Sequence, residues 1–318
     1  MSYSSQYVDK PLIKIGIINY PGAMLSAVQG LKEIFLLANR ICDQNGFHRE
    51  FEVILLTPAD IANGCYEDHH LQVLIMTPCL EGKYHLEPDA HLNRWMQQHH
   101  AQGAVICSVC AGAFLLAASG ILDGRPATTH WDLEDRFTAD YPQVKLDINK
   151  ILINDGDIIT AGGLMAWMDL GLELVAQFTQ PKIMRQLGKY LIIDTGAREQ
   201  RYYQSFNPKL DHGDRLILKT QHHLQANFQQ HISISELPDM VHLSERTFLR
   251  RFVKAAGLKP MQYLQRLRIQ KACDLLEAGS DTIEAIADQV GYEDTSAFRK
   301  IFIKTTGLTP KEFRGRFS

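Results

Sequence analysis

Two patterns of apolar positions divide the chain. Up to about residue 195, short apolar runs typical of buried strands alternate with segments whose apolar residues recur at helical spacing. The strand-like runs are 12–19, 51–56, 71–76 and 104–108, and the helical segments are 28–38, 92–98, 114–118 and 165–178. Two shorter runs flank Asn154-Asp155-Gly156-Asp157, which favours a hairpin turn. The alternation predicts an α/β domain with a mainly parallel sheet, a flavodoxin-like sandwich with helices on both faces.

The pattern changes near residue 197. Residues 197–212 have no clean period and contain Asn207-Pro208 and His212-Gly213, which favour irregular structure. From residue 213 onward the apolar spacing is helical throughout. The sequence therefore predicts an α/β domain over 1–196, a linker over 197–212 and an all-α domain over 213–318.

One unit occurs twice in the last 90 or so residues. In its second half the copies are offset by 50 residues, and the matched pairs are Phe248 and Phe298, Phe252 and Phe302, Gly257 and Gly307, Pro260 and Pro310, and Tyr263 and Phe313. In its first half the offset is 49, and the pairs are Ile234 and Ile283, Leu237 and Ile286, Val241 and Val290, and Leu243 and Tyr292. The second copy therefore carries one extra residue in its turn.

Each copy has a short helix, a tight turn and a longer helix, which is a helix-turn-helix. Ser244 and Asp294 are placed to cap the longer helices, because their side-chain oxygens can accept from free backbone N–H groups. Gly257 and Gly307 mark the helix ends, and each is followed by proline three residues later. Gly291 in the second turn can adopt a positive φ.

The first copy has Pro238 where the second has Ala287, and His242 where the second has Gly291. If Ser235 caps the short helix, Pro238 falls in its first turn, whose N–H groups have no intrahelical partner. Residues 260–278 form a predicted spacer of 19 residues between the copies. Such a helix is about 28 Å long, and one turn of DNA is about 34 Å. The two longer helices could therefore enter successive major grooves.

The longer helices carry the predicted DNA contacts. Phe248 and Phe252 face the core, which leaves polar residues on the other faces. The predicted DNA-binding residues are Arg246, Thr247, Arg250, Arg251, Thr295, Ser296, Arg299 and Lys300. An arginine on a recognition helix can contact guanine through two hydrogen bonds, whereas Arg299 and Lys300 could each hold only phosphate. Arg266, Arg268 and Lys304 are predicted to be phosphate contacts or plain surface.

Charge agrees with a DNA-binding C-terminal part. From Gly213 to the end there are 16 Lys and Arg residues and 12 Asp and Glu residues, a net charge of +4. The preceding residues carry 17 against 24, a net of −7. A basic part on an acidic body indicates that only the C-terminal part meets a polyanion.

No apolar stretch approaches the ~20 residues of a membrane helix, and residues 1–11 have no export-signal pattern. The six cysteines are interpreted as cytosolic thiols.

The repeated unit resembles the AraC/XylS family of bacterial transcription regulators, over about the last 105 residues. The second copy, IEAIADQVGYEDTSAFRKIFIKTTGLTPKEFR, resembles the family signature nearly throughout, and the first departs from it at Pro238 and His242. The resemblance implies two helix-turn-helix motifs that bind promoter DNA. It also implies RNA polymerase as a partner, a cytoplasmic homodimer and, as a role, activation, although the sequence leaves open activation or repression.

Cys110 follows a predicted strand and precedes a helix, with Gly112 two residues on. This is the layout of a nucleophile elbow, where N–H groups at the helix start could lower a thiol pKa. The stretch SVCAGAFLLAASGILDGRPATTHW, with Ala161-Gly162-Gly163, resembles the PfpI-like, class I glutamine amidotransferase-like superfamily, in the GlxA-type version fused to an AraC-type domain. That resemblance covers roughly residues 11–195.

The elbow lacks the partners that catalysis needs in that superfamily. Residues 24–28 contain no Asp or Glu, and Ala111 stands where relatives have histidine or threonine. His130 is the remaining candidate base. We therefore predict no catalytic residue and no cofactor, and instead an effector pocket with Cys110, Ala111, His130 and Trp131 that binds a small molecule. The alternatives are a Cys110-dependent hydrolase or hydratase tethered to DNA, and an architectural DNA binder with a vestigial body.

No metal site is predicted. Cys107 and Cys110 form a C-x-x-C, but Cys107 lies in a predicted strand and no second pair exists. The doublets His69-His70, His99-His100 and His222-His223 lack metal-ligand spacing and are predicted to be solvated. Trp131 and Trp167 could surround a cation, but core packing is the favoured interpretation.

Overall fold

The computed structural model describes residues 11–65, 70–196 and 198–318. Expectations for the first ten residues and for His69 lie outside the described residues. The chain divides between Gln200 and Arg201 into two compact units.

A six-stranded sheet forms the centre of the N-terminal unit in its described part. Its strands in spatial order are β2 (Glu50–Leu56), β1 (Leu12–Ile18), β3 (Val73–Met76), β4 (Val105–Val109), β8 (Ile158–Ala161) and β7 (Leu152–Asn154). The first five are parallel, and β7 pairs antiparallel with β8 across the predicted hairpin. Two short strands, β5 (Pro126–Ala127) and β6 (Lys145–Leu146), pair separately. The predicted mainly parallel sheet is confirmed.

Helices of this unit fall into two groups. Their bounds are α1 (Leu25–Gln44), α2 (Pro58–Ala62), α3 (Ala90–Ala101), α4 (Gly112–Ala118), α5 (Glu134–Asp140), α6 (Trp167–Phe178) and α7 (Pro181–Leu191). Helices α1, α6 and α7 pack together, while α3 packs against α2 and α4. From β1 the chain crosses through α1 to β2 on one side, and β3 leads through α3 to β4 on the other. Right-handed crossovers in opposite directions place these helices on opposite faces.

Strand β1 is the point where the strand order reverses, because β2 and β3 flank it. Its inner residues Ile15 and Ile17 are fully buried. Ligands of open α/β sheets bind outside the carboxyl ends of the strands at this reversal. A ligand cleft is therefore expected at the loops that follow β1 and β2.

The C-terminal unit is helical in its described residues. Its helices are α8 (Arg215–Asn227), α9 (Leu237–Met240), α10 (Glu245–Ala256), α11 (Pro260–Ala278), α12 (Ile283–Gln289), α13 (Thr295–Thr306) and α14 (Pro310–Phe317). Helices α9 and α10 form the first helix-turn-helix motif, and α12 and α13 the second. Helix α11 has the predicted bounds of the spacer. Each motif has its own apolar cluster, one around Phe248 and Phe252 and the other around Phe298 and Phe302.

The short helix of the first motif differs from the prediction. A 3₁₀ turn covers Ile234–Glu236, and α9 begins only at Leu237. Ser235 is therefore not the helix cap, and that expectation was wrong because the 3₁₀ turn occupies its position. Pro238 lies in the first turn of α9, as predicted. His242 holds a left-handed conformation at φ 53°, where Gly291 of the second motif has φ 85°.

Residues of the predicted linker are divided between the two units, and each contacts its own unit. Gln200 is buried in the N-terminal unit, where its amide nitrogen donates to the carbonyl oxygens of Thr129 at 2.9 Å and Lys150 at 2.8 Å. Gly162 leaves the space that this side chain fills. In the C-terminal unit, Phe206 packs edge-on against Tyr263, with ring centroids 5.3 Å apart.

Candidate nucleic-acid interface and ligand cleft

The recognition helix of the first motif is α10. Ser244 caps it by accepting from the Thr247 N–H, as predicted. Phe248 and Phe252 are fully buried, and Phe252 meets the Tyr263 ring edge-on at 5.5 Å. Burying these two residues, four positions apart, turns the opposite face of the helix to solvent. Of the predicted contacts, Arg246 and Arg250 are exposed on that helix and Thr247 is half-buried.

Arg251 is held inside the C-terminal unit. Its Nε donates to Asp214 Oδ2 at 2.8 Å and its NH2 group to Oδ1 at 2.7 Å. Asp214 also caps α8 by accepting from the Ile217 N–H. The guanidinium, through its hydrogen bonds, lowers the pKa of Asp214. Such a two-bond pair fixes α8 against α10 and directs Arg251 away from free recognition.

The recognition helix of the second motif is α13. Asp294 caps it by accepting from the Ser296 N–H, and Gly307 ends it at φ 80°. Ser296, Arg299 and Lys300 are exposed, and Thr295 is half-buried. The Arg299 guanidinium donates to Glu284 Oε1 on α12 at 2.8 Å, and both side chains remain about half exposed. An exposed pair of this kind is weak, so Arg299 can exchange Glu284 for a stronger acceptor.

The two recognition helices are joined by one spacer helix, and each carries exposed basic side chains. Helix α11 has 19 residues, or about 28 Å. Basic side chains stand exposed on both α10 and α13. This arrangement can place two arginine-bearing helices on one side of a polyanion with a repeat near one DNA turn.

Cys110 occupies a strained turn between β4 and α4. It adopts φ 53°, a left-handed conformation that non-glycine residues avoid. Its N–H donates to Ala161 O at 2.8 Å, and its carbonyl accepts from Thr129 Oγ1 at 2.8 Å. Gly112 follows at a point where a Cβ would lie inside van der Waals distance of the Met76 carbonyl oxygen. The predicted elbow is therefore present in the fold.

The thiol of Cys110 does not have a lowered pKa. Its side chain is buried, and burial raises the pKa to about 12, while the Ala111 N–H acts in the opposite direction with less effect. The expectation that the helix start would lower this pKa was wrong, because desolvation of the thiolate outweighs one hydrogen bond. Burial raises the pKa of Cys107 as well. At neutral pH both groups are thiols, so neither is poised as a nucleophile.

His130 is half-buried beside Trp131. Its Nδ1 accepts the Asp132 N–H at 3.1 Å, which leaves Nε2 to carry the proton in the neutral ring. Burial lowers the pKa of His130. Trp131 stacks at an angle on the His130 ring, 5.2 Å between centroids. Trp167 packs against Gly30, so its role is in the core.

We expect Cys110 to resist alkylation in the folded protein. With a pKa near 12, only about one part in 10⁵ is thiolate at pH 7. Iodoacetamide at pH 7 should label the exposed Cys65 quickly and leave Cys110 unlabelled until denaturant is added, as read by mass spectrometry. Labelling of Cys110 at the rate of Cys65 would show that its thiol is reactive and would favour the alternative of a Cys110-dependent hydrolase or hydratase.

A cleft opens at the carboxyl ends of β1 and β2. It encloses about 880 Å³ and is lined by residues 19–26, 57–59, 80 and 81. None of Cys110, Ala111, His130 and Trp131 lines it. The wall is mainly apolar, with Leu25 and Leu80 largely exposed at its rim. Sequence reasoning missed this cleft, because the strand-order reversal at β1 that marks it is visible only in the structure.

Tyr20 lines the cleft and lies close to Cys79 and Cys110. Its hydroxyl donates to the Thr77 carbonyl at 2.7 Å, and its ring stacks on Tyr84 at 5.4 Å. Burial raises the pKa of Tyr20. Gly22 turns the chain here at φ 88°, close to the Glu81 carbonyl. A neutral phenol and a tight glycine turn thus form the floor of the cleft.

Among the described residues, no group of three or more His, Cys, Asp or Glu could hold a metal ion. Within the same residues, no helix has both the length and the apolar character needed to cross a membrane. His99, predicted to be solvated, is instead buried, and its Nδ1 lies 3.0 Å from the Trp95 carbonyl.

Two protein-family models match the chain. Residues 59–177 match the DJ-1/PfpI family, and residues 237–316 match a helix-turn-helix domain. The chain therefore carries an AraC-type helix-turn-helix domain together with a DJ-1/PfpI domain. Both predicted resemblances are thereby confirmed.

Several proteins of Pseudomonas aeruginosa are similar to this AraC-type chain. The HTH-type transcriptional regulator CdhR (strain PAO1) is 25% identical over 225 residues, which are 70% of this chain and 66% of that protein. The HTH-type transcriptional regulator ArgR (strain PAO1) is 29% identical over 70% of this chain and 67% of its own length. The HTH-type transcriptional regulator GbdR (strain UCBPP-PA14) is 26% identical over 69% of this chain and 60% of its own length. The match thus spans about two thirds or less of these relatives.

One solved structure with similarity to this chain is an AraC family transcriptional regulator from Pseudomonas putida. It is 16% identical, with a TM-score of 0.46, and the match covers 56% of this chain and 99% of that one.

Proposed function

We propose that this AraC-type regulator binds promoter DNA through α10 and α13 and that a small metabolite in its DJ-1/PfpI domain sets its activity. The observation that carries the proposal is the pair of capped recognition helices with exposed basic side chains, joined by a 19-residue helix. Two helices spaced in this way fit two successive turns of the major groove. The protein would thus read two short blocks of sequence about one turn apart.

We assign the contacts by exposure. On the first helix, Arg246 and Arg250 would reach base edges or phosphate, with Thr247 at the rim. On the second helix, Thr295, Ser296 and Lys300 would do so directly, and Arg299 after it leaves Glu284. Arg251 would reach DNA only by giving up both hydrogen bonds to Asp214, so its contribution is to hold α10 in place.

The test is selection of bound duplexes from a random DNA library at ~150 mM salt, where non-specific binding is suppressed. We expect two enriched blocks about one turn apart. Enrichment no better than that of random DNA would overturn the proposal.

We expect Arg250→Ala to relax specificity at one base pair of the first block. Loss of one base contact costs about 1–3 kcal/mol, or roughly a 5- to 150-fold loss of affinity. The measurement is binding of the selected duplex and of its single-base variants by fluorescence anisotropy. Lys254→Ala, an exposed basic change near the end of α10, is the matched control and should leave the base preferences unchanged. Equal weakening on every sequence would assign Arg250 to phosphate instead.

For the effector we consider two places. The sequence suggested a pocket formed by Cys110, Ala111, His130 and Trp131. The cleft at the end of β1 has the volume of a small-molecule site and lies at the strand-order reversal. We therefore propose the cleft as the binding site, with the elbow behind Tyr20 as part of its support. Its mainly apolar wall favours a ligand with an apolar body.

We expect Ser26→Trp to abolish the effector response, because the indole would fill the mouth of the cleft beside the first turn of α1. The measurement is affinity for the selected duplex with and without the low-molecular-weight fraction of a cell extract. The wild type should change by about 5-fold or more, the usual range of allosteric coupling. Leu36→Trp, on the exposed side of the same helix, is the control. A Ser26→Trp variant that responds like the wild type would exclude the cleft.

Three further features follow from the proposed role. Activation would require contact with RNA polymerase, and regulation of this type operates in the cytoplasm, where the promoter is. A homodimer would double the number of recognition helices on the DNA and so raise the affinity by much more than twofold. We propose no catalytic role for Cys110, which the raised pKa of its thiol supports.

A further inference from the structure

Arg268 lies near the middle of α11, between the two helix-turn-helix motifs. The sequence suggested a phosphate contact or plain surface for it. Instead its Nε donates to the Phe228 carbonyl at 2.8 Å and its NH2 group to the Gln230 carbonyl at 2.9 Å. It is half-buried, and these two hydrogen bonds engage its guanidinium within the domain.

Residues 228–230 belong to the first motif's side of the domain. They follow directly on α8, which packs on α10 and contributes Ile217 and Leu224 to the first apolar cluster. The two hydrogen bonds from Arg268 therefore tie the spacer helix to the first motif.

The same guanidinium faces the second motif. It lies 5.4 Å from the centroid of the Tyr292 ring, at the turn between α12 and α13. Arginine stacks on aromatic faces, and the contact is stronger when water is partly excluded. One side chain therefore contacts elements of both motifs.

Gly291 makes this close approach possible. A Cβ at this position would lie 2.6 Å from the Gln229 carbonyl oxygen and 3.0 Å from the Arg268 NH2 group. The turn of the second motif thus rests directly on the 228–230 segment. Phe228 packs against both apolar clusters, which makes the junction continuous from one motif to the other.

We infer that Arg268 is the positioning residue that holds the two motifs at one angle and separation, and so sets the spacing of the two DNA blocks. The inference rests on the proposed function. A rotation of ~10° at one end of a ~28 Å spacer moves the other motif by ~5 Å, about 1.5 base pairs. A junction that loosens by this amount would accept several spacings.

The experiment compares full-length wild type, Arg268→Gln and Arg266→Gln by selection from random duplexes about four helical turns long. The wild type should enrich two blocks at a single spacing. Arg268→Gln should enrich the same two blocks at spacings spread over about three base pairs. Arg266→Gln, an exposed change two residues away on the same helix, should keep the single spacing.

A second readout uses the selected duplex with one base pair inserted between the blocks. We expect a loss of affinity of roughly tenfold for the wild type and less than threefold for Arg268→Gln. Should Arg268→Gln not fold, Arg268→Lys keeps the charge but cannot bond both carbonyls in the same fork, and it should broaden the spacing as well.

The outcomes separate the two claims. Paired blocks in the wild type with one unchanged spacing in the Arg268 variants would overturn this inference and leave the proposed function standing. A wild type that enriches no paired blocks would overturn the proposed function, and this inference with it.

Discussion

Phe302→Ala is expected to destabilise the second helix-turn-helix motif by about 3–5 kcal/mol, the usual cost of removing a buried phenylalanine. Phe302 is fully buried. Its ring lies 5.6 Å from that of Phe298 and meets that of Phe313 edge-on at 5.5 Å, so it joins α13 to α14. Truncation leaves a cavity between the two remaining rings that cannot close without moving a helix.

Hydrogen exchange of the full-length protein measures this effect, because a chain with two units does not unfold in two states. Amides of α12 to α14 should lose protection, and those of the N-terminal sheet should keep it. Ile303→Ala is the matched control: its side chain is 41% exposed on the same helix, and its removal should cost about 0.5 kcal/mol or less. Wild-type protection of α13 in the Phe302 variant would contradict the assignment of Phe302 to the core of the motif.

Gly112→Ala is expected to destabilise the DJ-1/PfpI domain by on the order of 3 kcal/mol, at the upper end of overpacking effects. The added methyl would collide with the Met76 carbonyl oxygen and lie 2.9 Å from that of Thr77. Both atoms belong to the main chain at the end of β3, so no side-chain rotation relieves the contact. The start of α4 would have to move away from the sheet and take the elbow with it.

The matched control is Gly315→Ala. No heavy atom lies within 4 Å of the position a Cβ would take there, and the residue is in helix α14. Alanine should be neutral or stabilising by up to about 1 kcal/mol. For Gly112→Ala the measurement is denaturant unfolding followed by Trp fluorescence, since the tryptophans lie in the N-terminal unit. The Gly315→Ala variant should leave that fluorescence midpoint unchanged, and its own effect is read from the helical circular dichroism signal. An unchanged midpoint for Gly112→Ala would show that the approach of α4 to β3 is looser than described.

The helix-turn-helix pair could be predicted because its determinants are local and occur twice. Ser244, Asp294, Gly257 and Gly307 act on their own helices, and the structure has each in its predicted role. The elbow at Cys110 was predictable for the same reason. Its thiol pKa was not, because the outcome depends on how much of the chain packs over the side chain.

Partners distant in sequence account for the rest. Asp214 lies 37 residues from Arg251, and Phe228 lies 40 residues from Arg268. The helical pattern marks both arginines as polar positions and gives no sign of which carbonyl or carboxylate they meet. The cleft is formed by three separate loops, and it follows from strand order, which periodicity alone does not reveal.

The buried amide of Gln200 has a consequence for where the chain can be cut. A fragment ending at residue 196, the boundary predicted from the apolar pattern, would leave the carbonyls of Thr129 and Lys150 without the Gln200 amide beside Gly162. Thr129 in turn bonds the Cys110 carbonyl, so the defect would reach the elbow. An expression fragment of the DJ-1/PfpI domain should therefore extend four residues past the predicted boundary, so that the Gln200 side chain fills the space beside Gly162.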